Sequence, residues 1–518
     1  MVLSALAFLV PAAPAAAAAP TAPTAPSGLL PPDAGPSTAS AVGTYYPAPA
    51  RRLLGTATTG YAAVPGAATR VAVAGVAGLP PSGLSAAVVN ITATAGSDAV
   101  TIMAFPAAGP LATGRSGNAL NRREGTVVSG APASLPSAVS APTTSVTAPA
   151  GGTRTTLVTV LLDPAGGFDV GTTGGAARIV IDLVGVYAAD DTVVASLGAP
   201  GGYQPLDPVR LLGRSDPVSG SAAVTGLPTS TPTIDPSLVA AVPEGATIGL
   251  GVDLGSSSPH VTVLVVRASI LLATVAGTVD VTGGARPAAP SAMTGDGDAD
   301  TPTATGPVNA LNRPYATPTL SLAPGVAASN LAFVPAVLGS DGLLSLEVHN
   351  ASAAPADVRV DLVGFYDDGQ LGPNLRFRPL VPTRVVDTSA GTGIRALGVG
   401  AQSTLSPPSN VAGDNTFGLV GTATVRISAL AADLALWASP GARPAAGSIP
   451  VSAGSVVSAS IQPELGADGR VELASDSGPA DLTFDVVGSF ESYPPVTDPT
   501  IRGWVHAVPS WQVRAVRR

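Results

Sequence analysis

The segment Ile181-Asp-Leu-Val-Gly-Val-Tyr187 has two more copies further along the chain, Val360-Asp-Leu-Val-Gly-Phe-Tyr366 and Phe484-Asp-Val-Val-Gly-Ser-Phe490. All three keep the Asp, the Gly and a final aromatic residue at the same places. A short run rich in Val, Ile and Leu is typical of a β-strand. The three copies therefore predict three related β units, each of which ends with the same strand.

A second motif opens each unit. Its forms are Tyr45-Tyr-Pro-Ala-Pro-Ala-Arg-Arg-Leu-Leu54, Tyr203-Gln-Pro-Leu-Asp-Pro-Val-Arg-Leu-Leu212 and Phe377-Arg-Pro-Leu-Val-Pro-Thr-Arg-Val-Val386. The openings lie 158 and 174 residues apart, far beyond the roughly 20 to 50 residues of a solenoid repeat. Each repeat is therefore a whole domain. We place the β domains at residues 44–191, 200–368 and 374–494, followed by a basic and aromatic tail at 495–518.

Apolar and polar residues alternate within the units. In Leu344-Ser-Leu-Glu-Val-His349 the apolar side chains face one way and the polar ones the other, as in a half-buried strand. The same period predicts that Arg359 and Asp361 face outward. Such runs, separated by Gly, Pro, Asp and Ser clusters, are typical of antiparallel sandwiches. The sequence therefore predicts an all-β fold of three tandem antiparallel β-sandwich-like domains.

The N-terminus has features of an export signal. Residues 1–10 are mostly apolar, and the run from Ala15 to Ala19 supplies small residues for cleavage. The positive residues that usually precede such a run are missing, so a cytosolic Ala-rich tail is the alternative. We expect a signal peptide at 1–19, an Ala/Pro/Thr linker at 20–43, and an extracellular or cell-surface location. No later run reaches the ~18 apolar residues of a membrane helix, so we expect no membrane span.

Composition excludes several classes of function. The 518 residues include no cysteine, no lysine and three histidines. This excludes a disulfide scaffold, a cysteine nucleophile, a cysteine-ligated metal and a lysine Schiff base. The net charge of −9 comes with no basic stripe, so the chain lacks the electrostatic footprint of a nucleic-acid-binding protein. We expect no nucleic acid partner and no cofactor, with calcium as the exception considered below.

The order of the motifs resembles a tandem repeat module of secreted and cell-surface proteins from high-GC Gram-positive bacteria. The resemblance covers residues 44–493 and depends mainly on the closing motif. The family's opening usually continues as Arg-Leu-Leu-Asp-Thr-Arg. Only Arg384-Val-Val-Asp-Thr388 approaches that pattern, because Gly55 and Gly213 stand where the third unit has Asp387. The resemblance implies a surface or accessory role and transfers no active site.

Two charged positions recur in every unit, an Arg in the opening motif and an Asp in the closing motif. They are Arg52, Arg210 and Arg384, and Asp182, Asp361 and Asp485. One hypothesis makes each pair a ligand site for a sugar hydroxyl or a carboxylate. The favoured interpretation is structural: the first and last strands lie side by side and the Arg bridges the Asp. A partly buried Arg usually takes a carboxylate partner.

Three carboxylates at alternate positions, Asp296, Asp298 and Asp300, suggest a calcium loop. A twelve-residue calcium loop ends in a bidentate Glu, and this chain has Pro307 at that position. A solvated acidic loop is therefore the favoured interpretation, with weak calcium binding as the alternative.

The C-terminal tail combines Trp504, Trp511 and Arg514 in an otherwise acidic protein. Aromatic and Arg residues supply most of the binding energy of interfaces, so these three are candidate binding residues. The alternative is a tail that packs back on the third domain or stays disordered.

Two classes of function follow. The first is a secreted or cell-surface, non-catalytic repeat protein that binds envelope polymers, carbohydrate or other surface proteins. The second is an exported hydrolase that uses paired carboxylates in one divergent unit. The absence of catalytic motifs and the tandem repetition favour binding.

Overall fold

A computed structural model of the chain describes residues 41–55, 60–76, 78–106, 133–134, 144–193, 201–214, 241–283, 318–371, 374–395, 397–427, 430–476, 479–493 and 513–517. These residues form antiparallel sheets, which confirms the predicted all-β class. Within these ranges no helix is long and apolar enough to cross a membrane. The expected signal peptide and most of the expected linker lie outside the described residues.

The strands fall into three modules, one for each repeat. Module 1 contains β1 (Tyr45–Leu54), β2 (Tyr61–Ala63), β3 (Ala67–Ala72), β4 (Leu84–Ala95), β5 (Val100–Phe105), β6 (Ala133–Ser134), β7 (Thr144–Ala148), β8 (Thr153–Leu161), β9 (Gly167–Gly174) and β10 (Ala177–Ala188). Module 2 contains β11 (Tyr203–Leu212), β12 (Thr247–Asp253), β13 (Val261–Ile270), β14 (Gly277–Gly283), β15 (Leu320–Leu322), β16 (Ala328–Pro335), β17 (Leu344–Asn350) and β18 (Val358–Asp367). Module 3 contains β19 (Asn374–Asp387), β20 (Gln402–Leu405), β21 (Thr416–Ile427), β22 (Ala432–Ala438), β23 (Ile449–Val451), β24 (Val456–Ile461), β25 (Val471–Ser475) and β26 (Ala480–Tyr493), and β27 (Arg514–Arg517) follows in the tail.

Every module has an inner sheet with the same strand order. The opening strand pairs with the closing strand, and two further strands follow: β1-β10-β4-β8, β11-β18-β13-β16 and β19-β26-β21-β24. The inner sheets of modules 2 and 3 are continuous, because Tyr203 pairs with Leu375 across the boundary. The shared order means that each repeat folds the same way and that its two sequence motifs are neighbouring strands.

Each module also has an outer sheet that packs on its inner sheet. The orders are β6-β3-β9-β5-β7, β27-β12-β17-β14-β15 and β20-β25-β22-β23. Between the two sheets of each module lies an apolar core of Val, Leu, Ile and Ala side chains. The alternation predicted for Leu344–His349 is observed, since buried and half-buried residues alternate along the whole of β17. The C-terminal strand β27 adds to module 2 at the edge that β6 occupies in module 1.

Arg359 and Asp361 lie on the predicted outward face of β18, opposite Val360, but neither is exposed to solvent. Both side chains are buried on the face of β18 that points away from the core of module 2. Module 3 covers that face: the backbone N–H of Gly447 donates to Asp361 at 2.9 Å, and Arg359 lies 3.6 Å from Asp433. The period-2 pattern identified the alternation correctly but could not show that a neighbouring module buries the second face.

Six aromatic residues from the ends of the opening and closing motifs meet where the three modules converge. Each opening residue packs on the closing residue of another module: Tyr45 on Tyr366, Tyr203 on Phe490 and Phe377 on Tyr187, with ring centroids 4.6, 4.3 and 4.2 Å apart. Module 1 therefore contacts module 2, module 2 contacts module 3, and module 3 contacts module 1. The three repeats form a closed ring with a fully buried aromatic centre.

Backbone hydrogen bonds repeat the same cyclic order. Tyr45 N–H donates to the carbonyl of Gly201 at 3.0 Å, Tyr203 pairs with Leu375, and Phe377 N–H donates to the carbonyl of Gly43 at 2.8 Å. Gly43 falls in the last residues of the expected linker, so these residues belong to the folded ring.

The glycine of the closing motif makes room for the opening aromatic ring. A Cβ at Gly185 would lie 2.1 Å from Tyr45 Oη, one at Gly364 2.5 Å from Tyr203 Oη, and one at Gly488 2.1 Å from an edge carbon of Phe377. Such distances are far inside van der Waals contact. The glycine of the closing motif is therefore required in each module, because the aromatic side chain of the opening motif crosses the closing strand at that point.

Candidate functional site

The repeated Arg and Asp lie side by side in all three modules. Arg52 Nε donates to Asp182 at 2.8 Å and Arg384 Nε donates to Asp485 at 2.8 Å. The third pair, Arg210 with Asp361, forms the same contact and is buried on both sides. In each case the second guanidinium nitrogen reaches the other carboxylate oxygen, which is the bidentate geometry favoured by Arg–carboxylate pairs. These residues join the opening strand to the closing strand.

The pair in module 3, Arg384 with Asp485, differs from the other two. Arg384 also donates to Asp387 at 3.2 Å, and its side chain is 28% exposed. The hydrogen bonds that Arg384 donates to Asp485 raise the pKa of the guanidinium despite partial burial. The first two modules replace Asp387 with Gly55 and Gly213, whose φ angles of 90° and 91° lie in the region that favours glycine.

The closing strand has a second neighbour in each module, namely β4, β13 and β21, and one position on that neighbour bears on the charge of the site. The residue in register with the repeated Asp is Asn90 in module 1, Arg267 in module 2 and Thr422 in module 3. Arg267 is only 4% exposed. Burial lowers the pKa of its guanidinium to about 10, although nearby Asp361 acts in the opposite direction. Module 2 therefore has a buried positive charge at a position where modules 1 and 3 have neutral residues.

Arg267 lines a cleft between modules 2 and 3. Its lining residues come from both modules and are Pro205, Leu206, Asp207, Pro208, Arg267, Val363, Leu436, Trp437, Ala438, Gly447, Ile461, Gln462, Pro463 and Glu464. Residues 206–208 reach the cleft because β11 bulges between Pro205 and Val209, where the register against β18 shifts. The Pro-rich opening motif of module 2 thus forms one wall.

Buried polar atoms in this cleft lack partners in the part of the chain that is described. Arg267 donates to the carbonyl of Ser460 at 3.2 Å and to Ser329 at 3.4 Å, and its Nε has no hydrogen-bond partner there. Both side-chain atoms of Gln462, Nε2 and Oε1, are likewise buried and unpartnered among these residues. An unmade hydrogen bond of a buried group costs about 1–3 kcal/mol. These three atoms are therefore hydrogen-bonding groups of the cleft that the described residues leave open.

Trp437 supplies an aromatic wall. Its indole N–H donates to the carbonyl of Gly441 at 3.0 Å, and the residue is 5% exposed. That bond holds the ring in a fixed orientation, so the indole offers a preorganised apolar surface beside Gln462 and Glu464. The lining contains no Ser, Cys or His, so it holds no hydroxyl or thiol nucleophile of serine or cysteine paired with a histidine base.

The other candidate residues are placed as follows. Asp296, Asp298 and Asp300 lie outside the described residues, as do Trp504 and Trp511. The structure pairs the backbone of Arg514 with Asp253 in β12, so this end of the tail adds to module 2. Within the described ranges no three His, Asp or Glu side chains form a cluster that could hold a metal ion.

The sequence interpretation missed Arg267, Gln462 and the bulge residues. A signal for Arg267 was present, since it is the single charge in the run Val261-Thr-Val-Leu-Val-Val-Arg-Ala-Ser-Ile270. A charge within an otherwise apolar strand is rarely buried unless it has a partner or a role. Gln462 and Glu464 carried no such signal, because they follow β24 in an ordinary loop composition.

Comparison with known proteins identifies no relative: no protein-family model matches this chain, and no curated protein matches it.

Proposed function

We propose that the protein is an exported, non-catalytic surface protein that binds a carbohydrate polymer of the cell envelope in the cleft between modules 2 and 3. The observation that carries the proposal is Arg267. A buried cation reduces stability unless its interactions compensate for desolvation, and modules 1 and 3 fold with Asn90 and Thr422 at the same register. A residue that the fold does not need, at the edge of a cleft with unpartnered polar atoms, is best explained by ligand binding.

The rest of the molecule supports a scaffold role. The residues shared by all three repeats, namely the Arg–Asp pairs, the closing glycines and the six aromatic residues, all take part in strand pairing or ring closure. Repetition therefore accounts for the fold, and binding is assigned to the residues in which the modules differ. The resemblance of the motifs to modules of secreted bacterial proteins is consistent with a location outside the cytoplasm.

The proposal is tested by co-sedimentation of the full chain with purified, insoluble cell-envelope polymer and by a glycan array. We expect wild-type protein to sediment with the polymer and an Arg267→Met variant to remain in the supernatant. Thr422→Asn is the matched control, because it changes a buried polar residue at the same register outside the cleft. Absence of wild-type binding on both the polymer and the array would overturn the proposal.

A second candidate function has one specific observation in its favour. Two carboxylates from different modules, Asp207 and Glu464, line the same cleft, and glycoside hydrolysis uses such a pair. Turnover of a polysaccharide by the wild-type chain, lost in both Asp207→Asn and Glu464→Gln, would establish a hydrolase in place of a binding protein.

A further inference from the structure

We infer that the cleft recognises one neutral sugar residue, and that each chain binds one such residue despite its three repeats. This inference rests on the proposed function and specifies its ligand. Three properties of the cleft carry it: the hydrogen-bonding groups that lack partners, the size of the cavity and the balance of charge.

The unpartnered groups match the chemistry of sugar hydroxyl and acetamido groups. A hydroxyl both donates and accepts, and Gln462 offers a donor and an acceptor on one side chain. Arg267 Nε adds a donor that cannot be deprotonated at neutral pH. Trp437 provides an apolar wall of the cavity, against which the carbon atoms of an inserted sugar substituent pack.

The cavity has a volume of about 50 Å³. A water molecule needs roughly 10–15 Å³ of such volume, so the cavity has room for about three to five waters. This suits a substituent of a sugar ring, such as a hydroxymethyl or acetamido group, with the ring itself at the mouth. A polysaccharide chain can therefore lie across the mouth of the cleft while one of its sugar residues inserts a substituent into the cavity.

The charges favour a neutral sugar. Asp207 and Glu464 outnumber Arg267 among the ionisable lining residues. An acidic sugar would place its carboxylate near two others, and like charges in a partly desolvated site repel one another strongly. A neutral residue avoids that repulsion and uses the carboxylates as hydrogen-bond acceptors.

A single site per chain follows from the differences between modules. Only module 2 has Arg at the register of the repeated Asp, and modules 1 and 3 have Asn90 and Thr422. The bulge sequences also differ, since Leu206 and Asp207 correspond to Ala48 and Pro49 in module 1 and to Leu380 and Val381 in module 3. The repeats thus give one site and not three.

The test is a titration of the full chain, with Trp504→Phe and Trp511→Phe introduced so that Trp437 is the only indole. The probes are N-acetylglucosamine, glucose and mannose as neutral sugars, and glucuronic acid as the acidic one. We expect a neutral sugar to change the Trp437 fluorescence with a stoichiometry of one per chain, and glucuronic acid to bind at least tenfold more weakly. In the same background, Gln462→Met and Arg267→Met should each weaken binding about tenfold or more, and Thr422→Asn should leave it unchanged.

The outcomes separate the inference from the proposed function. If the chain sediments with envelope polymer but no neutral sugar changes Trp437 fluorescence, the proposed function stands and the sugar inference fails. Preferential binding of glucuronic acid, or a stoichiometry of three, would also overturn the inference. If neither polymer nor sugar binds, both fail. Folding of each variant is checked by its far-ultraviolet circular dichroism and its denaturation midpoint, so that loss of binding is not loss of structure.

Discussion

The hydroxyl groups of Tyr187 and Tyr366 offer a sensitive test of ring closure. They come from modules 1 and 2, share a hydrogen bond of 2.6 Å and are fully buried. Burial raises the pKa of both phenols, so both are neutral at physiological pH. Each hydroxyl has the other as its partner, and removal of one leaves the second buried and unsatisfied.

A double-mutant cycle measures the coupling energy between the two hydroxyl groups. Tyr187→Phe and Tyr366→Phe should each lower the free energy of unfolding by about 1–3 kcal/mol, the cost of a buried unsatisfied hydroxyl. The double variant should lose much less than the sum, because no polar group is then stranded. Module 3 already has a phenylalanine, Phe490, at the closing-motif position that Tyr187 and Tyr366 occupy in modules 1 and 2.

The assay is urea denaturation followed by circular dichroism, with linear extrapolation to water. The expected coupling energy is about 1–3 kcal/mol, well above the few tenths found for residues that do not touch. Additive losses in the double variant would refute the contact between modules 1 and 2. A lower slope of the denaturation curve in a single variant would show that the ring opens before the modules unfold.

Three further predictions have defined outcomes. Gly488→Ala places a methyl group against the stacked ring of Phe377 and should lower the free energy of unfolding by about 1–3 kcal/mol; unchanged denaturation would show that the ring is not held there. Asp361→Asn should lower the free energy of unfolding by about 3–5 kcal/mol, because it leaves the buried Arg210 without a charged partner. Asp485→Asn should lower it by only about 1 kcal/mol, since Arg384 is partly exposed and still pairs with Asp387. Equal losses in urea denaturation would contradict this difference in burial. Arg267→Met should raise the free energy of unfolding by up to about 3 kcal/mol, because its pKa in the folded chain is about 10 against 12.5 and each pKa unit corresponds to about 1.4 kcal/mol. This gain in stability should shrink as the pH rises above about 10, because Arg267 then loses its charge in the folded wild type before it does so in the unfolded chain. A gain in stability that stays the same between pH 9 and about 11.5 would contradict the lowered pKa.

Local sequence patterns were sufficient for the fold class. The closing motif and the period-2 alternation depend on contacts within one strand or one sheet. Both can therefore be recognised in a single stretch of sequence. The burial of the Asp361 and Arg359 side chains could not be predicted from such local patterns. Their second face is covered by residues about 70 to 90 positions away in another module, and alternation alone does not distinguish solvent from a neighbouring module.

The candidate site depended even less on local pattern. Its walls come from the bulge of β11, from β13 and from the residues around β22 and β24, which are brought together when modules 2 and 3 pack against each other. Arg267 could be noticed as a lone charge in an apolar strand, but its meaning depends on Gln462 and Trp437 in a different repeat. Predicting the site therefore requires the packing of whole modules, which no motif in the chain encodes.

Closure of the ring is the central claim about how the three modules are arranged, and the absence of cysteine allows a direct test. Thr147 in module 1 and Ser458 in module 3 have their hydroxyl oxygens 3.0 Å apart, so a Thr147→Cys and Ser458→Cys pair is within disulfide reach. Mild oxidation of this variant should give a cross-linked monomer with no free thiol and the loss of two hydrogen atoms by mass spectrometry. A control pair, Thr147→Cys with the exposed Ser97→Cys, should keep both thiols open to alkylation. If the first pair also stays reduced and fully alkylated, modules 1 and 3 do not meet and the closed ring is wrong.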